Sequence, residues 1–128
     1  MRNGGWGMNS DNVVLVKSFD FAIRIVRLYQ YLCNESKEYT IAKQLLRCGT
    51  SIGANINEAQ YAISKREFLS KMYIAFKECG ETIYWLEILF RTDYLSESQY
   101  NSITRDCKEL HNLLSSITKS TRNRTNPE

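Results

Sequence analysis

The sequence predicts an all-α fold, an antiparallel four-helix bundle whose helices run up, down, up and down. Apolar residues recur along the chain at alternating steps of three and four, which is the period of a helix surface. The one proline is Pro127, so no proline ring interrupts a helix before it. Three of the six glycines lie within the first seven residues, which leaves too few turn-forming residues for a β or α/β domain. A chain of 128 residues suits a single domain of this kind.

The first helix is predicted over residues 12–33 and follows a flexible leader at residues 1–10. Its apolar repeat, which we expect to face the core, consists of Leu15, Phe19, Ala22, Val26, Tyr29 and Cys33. A polar run at residues 34–37 ends this helix. The second helix is predicted over residues 39–62. Its expected core face consists of Ala42, Leu45, Gly49, Ile52, Ile56, Ala59 and Ile63.

The third helix is predicted over residues 65–91 and begins at a capping box. The Ser64 hydroxyl accepts from the Glu67 amide, and the Glu67 carboxylate accepts from the Ser64 amide. Its expected core face consists of Phe68, Met72, Phe76, Cys79, Ile83, Leu86 and Phe90. The fourth helix is predicted over residues 97–119, with a similar box at Ser96 and Gln99. Its core face is expected to be Tyr100, Ile103, Cys107, Leu110, Leu114 and Ile117. The bundle then covers residues 11–120, and a polar basic tail follows at residues 121–128.

Charge and composition limit the partners of this chain. The net charge is +3 and the isoelectric point is near 8.7, which permits an anionic partner without requiring one. No apolar run approaches the roughly 20 residues of a membrane span, and the first nine residues lack the apolar core of a signal peptide. The four cysteines show no C-x-x-C pairing, which favours buried free thiols in a reducing compartment. We therefore expect a cytoplasmic protein with no membrane partner.

Two helix faces have a composition that is unusual for a solvated surface. The second helix carries small and neutral side chains beside its core face, and the third carries bulky apolar groups opposite its core positions. Small groups admit a close approach, whereas exposed aromatic groups favour burial at an interface. The bulky side chains of the third helix and the small side chains of the second form two different surfaces that can fit one another. Two such surfaces on one subunit predict head-to-tail self-association. The expected interface residues are Ser51, Gly53, Ala54, Asn55, Glu58, Ala62, Tyr73, Tyr84, Trp85 and Ile88.

The sequence gives no sign of catalysis, and we expect no enzyme, no cofactor and no metal site. The only histidine, His111, is interpreted as a structural side chain, and the two Glu-x-x-His motifs of a bundle di-iron site are missing. Helix rise places Cys48, Cys79 and Cys107 at similar heights in the bundle. A zinc site usually needs four ligands, so these cysteines are interpreted as small core residues.

Several lysines and arginines are candidates for contacts with nucleic-acid phosphates, and assembly would multiply their charge. These candidates are Lys43, Arg47, Lys65, Arg66, Lys71, Lys77, Arg122 and Arg124. Alternatively, the cations pair with Glu67, Glu78 and Glu81 at helical spacing and only solubilise the protein. Both interpretations stay open at this point.

One stretch of the chain resembles a known bacterial family. Residues 44–59 read QLLRCGTSIGANINEA, and SKREF follows at residues 64–68, IA at 74–75 and ET at 81–82. This pattern is similar to that of the "four helix bundle protein" family, also called the 23S rRNA intervening-sequence or S23 family. The resemblance extends over roughly residues 18–120. Gly49 and Gly53 stand where the family often has alanine and a proline or other small residue, and Ala59 stands where glycine is commoner.

The resemblance implies a four-helix bundle that assembles as a ring-like homopentamer without catalytic activity. Members are encoded in insertions within rRNA genes, or act as accessory variability determinants of diversity-generating retroelements. The latter bind a reverse transcriptase and its RNA or DNA template through a basic surface. We therefore expect an accessory protein that binds RNA or DNA, together with a reverse transcriptase in the retroelement context. The alternative is a structural self-assembling module, or a binder of protein partners, with no role in nucleic-acid binding.

Overall fold

The computed structural model describes residues 9–124, and side chains from residue 13 to residue 123. Four helices follow one another: α1 (Asn9–Asn34), α2 (Thr40–Ala59), α3 (Lys65–Arg91) and α4 (Glu97–Arg124). Helix α1 packs against α2 and α4, and α3 packs against the same two helices. Helices α1 and α3 therefore lie on one diagonal of the bundle. The described residues confirm the predicted all-α antiparallel bundle.

The helix boundaries differ from the predicted ones at three places. Helix α2 stops at Ala59, because the amides of residues 60–62 turn to carbonyls three residues back and tighten the chain. Helix α4 continues to Arg124, past the predicted end, since no proline stops it and the buried Thr121 packs in the core. Helix α1 already begins at Asn9. The rest of the predicted leader, residues 1–8, and residues 125–128 of the tail lie outside the described residues.

The predicted core face of α1 is correct only in part, because Leu15, Tyr29 and Cys33 pack against the core but are not its fully buried residues. The side chains that it buries completely or nearly so are Val14, Ser18, Phe21, Ile25 and Leu32. Phe19, which was expected in the core, is 67% exposed, and Val26 is also exposed. The error has a physical cause, because α1 is apolar around most of its circumference. Steps of three and four therefore fit more than one face, and the choice between them depends on where α2 and α4 pack.

The other three core faces follow the prediction more closely. On α2 the residues from Ala42 to Ala59 are buried as expected, but Ile63 is 89% exposed in the turn that follows. On α3 the predicted Phe76, Ile83 and Phe90 are only partly buried. Their places in the core are taken by Ala75, Thr82 and Leu89. On α4 every predicted core residue is buried except Tyr100, which is partly buried.

The capping box predicted at Ser96 forms completely, and the one predicted at Ser64 forms in part. The Glu67 amide donates to Ser64 Oγ over 3.0 Å, although the Glu67 carboxylate accepts from the Ile63 amide instead of the Ser64 amide. At Ser96 and Gln99 both reciprocal hydrogen bonds are present, at 2.8 and 3.1 Å. These caps fix where α3 and α4 begin.

Two further signals at helix ends escaped the sequence analysis. The Glu38 carboxylate accepts from the amides of Ile41 and Ala42 at the start of α2. At the end of α3, Asp93 has a φ of 72°, and its amide and that of Tyr94 donate to carbonyls of the last helical turn. This is a Schellman motif with an aspartate in the left-handed position.

Candidate assembly and nucleic-acid interfaces

Helix α1 exposes a row of apolar side chains on the side opposite its core residues. We call this row the α1 apolar face, and it consists of Val16, Phe19, Ile23 and Val26. From Val16 to Val26 the row is about 15 Å long, at 1.5 Å per residue. Scattered exposed apolar groups are common on monomeric proteins, but a contiguous row on one helix is typical of a binding surface.

The α1 apolar face borders a groove between α1 and α2 with a volume of ≈ 520 Å³. Its wall on α1 is formed by Leu15, Val16, Phe19 and Ala22, and its wall on α2 by Thr50, Gly53, Ala54 and Asn57. A smaller hollow of ≈ 320 Å³ continues along α1 beside Ile23 and Val26. The small residues predicted to admit a partner, Gly53 and Ala54, therefore line a groove next to the exposed apolar row.

The two glycines of α2 also hold α1 close within the monomer. A Cβ added to Gly49 would lie 2.8–3.0 Å from the side-chain carbons of Ile25, so no larger residue fits there without a shift. A Cβ on Gly53 would lie 3.2 Å from the backbone oxygen of Ser18. The prediction that Gly49 serves close packing inside the monomer is confirmed. Gly53 has both roles, since it contacts α1 and lines the groove.

The remaining interface candidates on α2 differ in accessibility. Ala62 is completely buried in the monomer's own core, so its prediction as a surface contact is wrong. The physical reason is that α2 ends before Ala62, and the turn then points this methyl group inward. Asn55 donates its amide to the Ser51 carbonyl and hydroxyl, so these two partly buried residues satisfy one another. Glu58 is exposed but forms an ion pair with Lys71 at 2.7 Å.

On α3 two of the four predicted aromatic or aliphatic contacts are exposed. Tyr73 is 47% exposed and Tyr84 is 57% exposed, and about 16 Å of helix separates them. Between them lies Gly80, where a Cβ added to the backbone would meet no other atom within 4 Å. Trp85 and Ile88 were expected to be exposed, but they are partly buried. Trp85 packs against the core and donates its indole N–H to Glu81.

Two of the cations predicted to contact phosphates already have partners within the monomer. Arg47 hydrogen-bonds Glu81 and lies 3.5 Å from Glu78, because antiparallel packing sets α2 opposite these carboxylates of α3. The Arg47 hydrogen bond lowers the pKa of Glu81 below its ordinary value, and the hydrogen bond to Glu58 raises the pKa of Lys71. Both cations are held in the α2–α3 seam, so neither is a free phosphate ligand. Both cations therefore pair internally, as the alternative predicts, but the pairs join α2 to α3 and are not at helical spacing, and the partner of Lys71 is Glu58.

The other predicted cations are distributed over three helices. Among the described side chains, none of Lys43, Lys65, Arg66, Lys77 and Arg122 forms an ion pair. Lys43 lies near the start of α2 and Arg66 near the start of α3, which are opposite ends of the bundle. The side chain of Arg124 lies outside the described residues. The sequence-predicted set therefore does not form one surface.

Sequence reasoning missed three exposed cations on α4: Arg105, Lys108 and Lys119. Together with Arg122 they are exposed and lie within about 100° of one another around the helix axis, at 3.6 residues per turn. We call these four residues the α4 basic strip. The signal was present in the sequence, because the four cations recur at helical spacing on the side of α4 away from its correctly predicted core face.

Three of the cysteines and the histidine pack against other residues of the bundle. Cys48, Cys79 and Cys107 are buried, and the Cys107 thiol donates to the Cys79 carbonyl over 3.6 Å. Burial raises the pKa of the Cys48 thiol to about 11, so it is not an activated nucleophile. His111 stacks on Phe76 with ring centroids 4.3 Å apart. Within residues 9–124 no group of histidine, cysteine, aspartate and glutamate side chains is arranged to hold a metal ion.

No helix in the described part of the chain combines the length and the apolar character needed to cross a membrane.

Comparison with known proteins identifies the family of this bundle. A crystal structure from Bacteroides thetaiotaomicron VPI-5482, of a protein of unknown function from the S23 ribosomal protein family, superposes with a TM-score of 0.85 and is 55% identical. The match covers 86% of this chain and 98% of that one. No curated protein matches the chain. Residues 10–116 match the model of the 23S rRNA-intervening sequence protein family. The chain therefore belongs to the 23S rRNA-intervening sequence protein family.

Proposed function

We propose that this protein is a non-enzymatic, homo-oligomeric accessory module that binds nucleic acid in its assembled form in the cytoplasm. The observation that carries the proposal is the α1 apolar face, since its four exposed apolar side chains need a partner surface. The cations without internal partners add the second part, because assembly repeats each of them in every subunit. The partnership with a reverse transcriptase, which the family resemblance implies, stays a prediction.

The positions of the exposed groups favour a head-to-tail contact between copies. The α1–α2 groove lies beside α1, whereas Tyr73 and Tyr84 are exposed on α3, at the opposite end of the diagonal that joins α1 and α3. The two tyrosines are spaced by about the length of the α1 apolar face. Two different patches that fit one another generate a ring or an open filament rather than a two-fold dimer. The family resemblance selects a ring of five subunits.

Light scattering during size-exclusion chromatography tests the assembly. A pentamer of 14.9 kDa subunits has a mass of about 75 kDa, which is five times the chain mass. The double variant Phe19→Ser/Ile23→Ser is expected to elute as a monomer with unchanged helical circular dichroism, because neither side chain is in the core. The matched control is Ile63→Ser, which removes an exposed apolar group outside the α1 apolar face and should keep the wild-type mass. A wild-type mass near that of one chain at micromolar concentration would contradict the proposal.

Electrophoretic mobility shifts with RNA and with DNA test the second part. Affinity should decrease as salt rises from 50 to 200 mM, since phosphate contacts release counterions. A complete absence of a shift, combined with a multimeric mass, would instead favour the structural self-assembling module without a role in nucleic-acid binding. A monomeric α1 variant that still binds as tightly as the wild type would show that assembly is not required.

A further inference from the structure

The outward side of α4 carries two pairs of exposed cations, Arg105 with Lys108 and Lys119 with Arg122. From Arg105 to Arg122 the α4 basic strip is about 25 Å long, at 1.5 Å per residue. Within the described residues, none of its four side chains forms an ion pair. All four are exposed. The strip therefore presents four uncompensated charges along one straight element.

The two acidic residues of α4 beyond its first turn pair with cations of α1. Asp106 accepts a hydrogen bond from Arg24 of α1 over 2.6 Å, and Glu109 pairs with Lys17 of α1 at 3.2 Å. These are the only acidic residues of the chain between Glu97 and the end of α4. Cations of α1 thus neutralise the carboxylates of α4. Glu109 stays exposed beside Arg105, but Lys17 compensates its charge, so the net charge of this side of α4 stays positive.

The space between the cations suits the approach of a polymer backbone. A shallow groove of ≈ 650 Å³ extends along α4 from Tyr100 to Ser116. Short polar side chains, Asn101, Asn112 and Ser116, line it together with Arg105, Lys108 and the Lys17-paired Glu109. These residues can donate hydrogen bonds to phosphate and sugar oxygens, which are the contacts that position a protein on a nucleic acid.

The aromatic residues of this region are not available for base stacking. Tyr100, at the edge of the groove, is partly buried and its ring is stacked on Phe90 with centroids 4.4 Å apart. His111 is likewise stacked on Phe76. Proteins that bind single strands combine cations with exposed aromatic groups on which bases stack. The α4 basic strip has the cations but no exposed aromatic group.

From these observations we infer that the α4 basic strip binds the sugar-phosphate backbone of a nucleic-acid duplex without reading its sequence. The inference rests on the proposed nucleic-acid binding and assigns its site. It differs from the sequence-predicted set, because Arg47 and Lys71 are held in ion pairs within the monomer. Only Arg122 belongs both to the strip and to the sequence-predicted set.

The test compares two variants of equal charge by fluorescence anisotropy. The strip variant is Arg105→Gln/Lys108→Gln/Lys119→Gln. The control variant is Arg27→Gln/Lys37→Gln/Arg91→Gln, which removes three exposed cations from α1, α3 and the loop between α1 and α2 and none from the sequence-predicted set. The probes are a 20-base-pair RNA duplex, the DNA duplex of the same sequence and an unstructured oligo(dT). Light scattering and circular dichroism on both variants check that assembly and helicity are retained.

The strip variant is expected to bind both duplexes at least about tenfold more weakly at 50 mM salt. The slope of log affinity against log salt should become less steep by about 0.9 for each lost phosphate contact on DNA, which is close to three in total. The control variant should keep the wild-type slope, because its cations contact no phosphate. The oligo(dT) should bind more weakly than either duplex.

Three other results would overturn the proposed function, the assignment of the site or the assignment to duplexes. If the wild type binds no nucleic acid, the proposed function and this inference both fail. If the wild type binds but the control variant loses as much affinity as the strip variant, the site is wrong while the proposed function stands. If oligo(dT), polyglutamate or vesicles containing phosphatidylglycerol compete as well as a duplex does, the strip binds anions in general and the assignment to duplexes is wrong.

Discussion

At the residue scale, the helical glycines of this bundle differ in what surrounds them. Gly49 faces α1, and its missing side chain is what lets Ile25 pack against the α2 backbone. Gly80 lies on the outer side of α3 with open space around it. Both cost the helix conformational entropy relative to alanine, but only Gly49 gains packing in return. Replacing Gly49 by alanine should therefore lower the stability of the subunit, whereas replacing Gly80 by alanine should raise it.

We expect Gly49→Ala to lower the free energy of unfolding by about 1–3 kcal/mol, the usual cost of overpacking a filled core. The added Cβ would meet Ile25 at 2.8 Å, so α1 or the Ile25 side chain must move. Urea denaturation followed by circular dichroism at one fixed protein concentration measures the change. An unchanged denaturation midpoint would show that α1 can shift to accommodate the added methyl group without a loss of stability.

In the monomeric Phe19→Ser/Ile23→Ser background, Gly80→Ala is expected to raise the free energy of unfolding by up to about 1 kcal/mol, because alanine is the better helix former and nothing within the subunit obstructs its methyl group. The same urea titration applies. A loss of stability in this background would show that the outer side of α3 is crowded within the subunit itself.

The ion pair of Glu81 predicts a dependence of stability on pH. Arg47 and the Trp85 indole lower the Glu81 pKa in the folded state. The stabilisation is therefore complete above the unfolded-state pKa of about 4.3 and is lost as pH falls through the lower folded-state pKa. Glu81→Gln should destabilise the protein at pH 7, and its difference from the wild type should shrink towards pH 3. A difference that is the same at both pH values would exclude a role for the carboxylate charge.

At the element scale, local signals account for where α3 and α4 begin. Ser96 and Gln99 exchange both hydrogen bonds of a capping box. Ser96→Ala should lower the free energy of unfolding by about 1 kcal/mol, since the Gln99 amide loses its acceptor. The control is Ser98→Ala, an exposed serine within the first turn of α4 that should change stability little. Equal effects of the two substitutions in urea titrations would show that the cap contributes nothing specific.

Helix α1 shows what such local signals leave open. Its apolar residues are distributed over most of its surface, so the sequence predicts a helix correctly but does not say which side is covered. The core takes Val14, Ile25 and Leu32, and leaves Phe19 exposed. On α4 the apolar residues form one narrow row, and its core face was predicted almost without error. The width of the apolar stripe therefore decides how well a core face can be predicted.

At the scale of the whole molecule, Tyr84 and Trp85 separate assembly from folding. They are neighbours in sequence and their rings are in contact, with centroids 5.1 Å apart. Tyr84→Ser should reduce the assembled mass in light scattering while the free energy of unfolding of the subunit stays within about 0.5 kcal/mol of wild type. Trp85→Ser should destabilise the subunit itself by about 2 kcal/mol or more, because this ring packs on the core. Dissociation by Trp85→Ser without loss of stability would place its ring in the subunit contact instead.

The sequence by itself determined the helix count, the start of α3 and α4 and most of three core faces. These features follow from hydrogen bonds and apolar spacing among residues that are near one another in the chain. The tertiary structure alone decided which side of α1 is exposed and which cations have partners. Arg47 meets Glu81 across 34 residues, and Arg24 meets Asp106 across 82. Such contacts depend on which helices pack side by side, and a pattern that repeats along one helix contains no information about its neighbours.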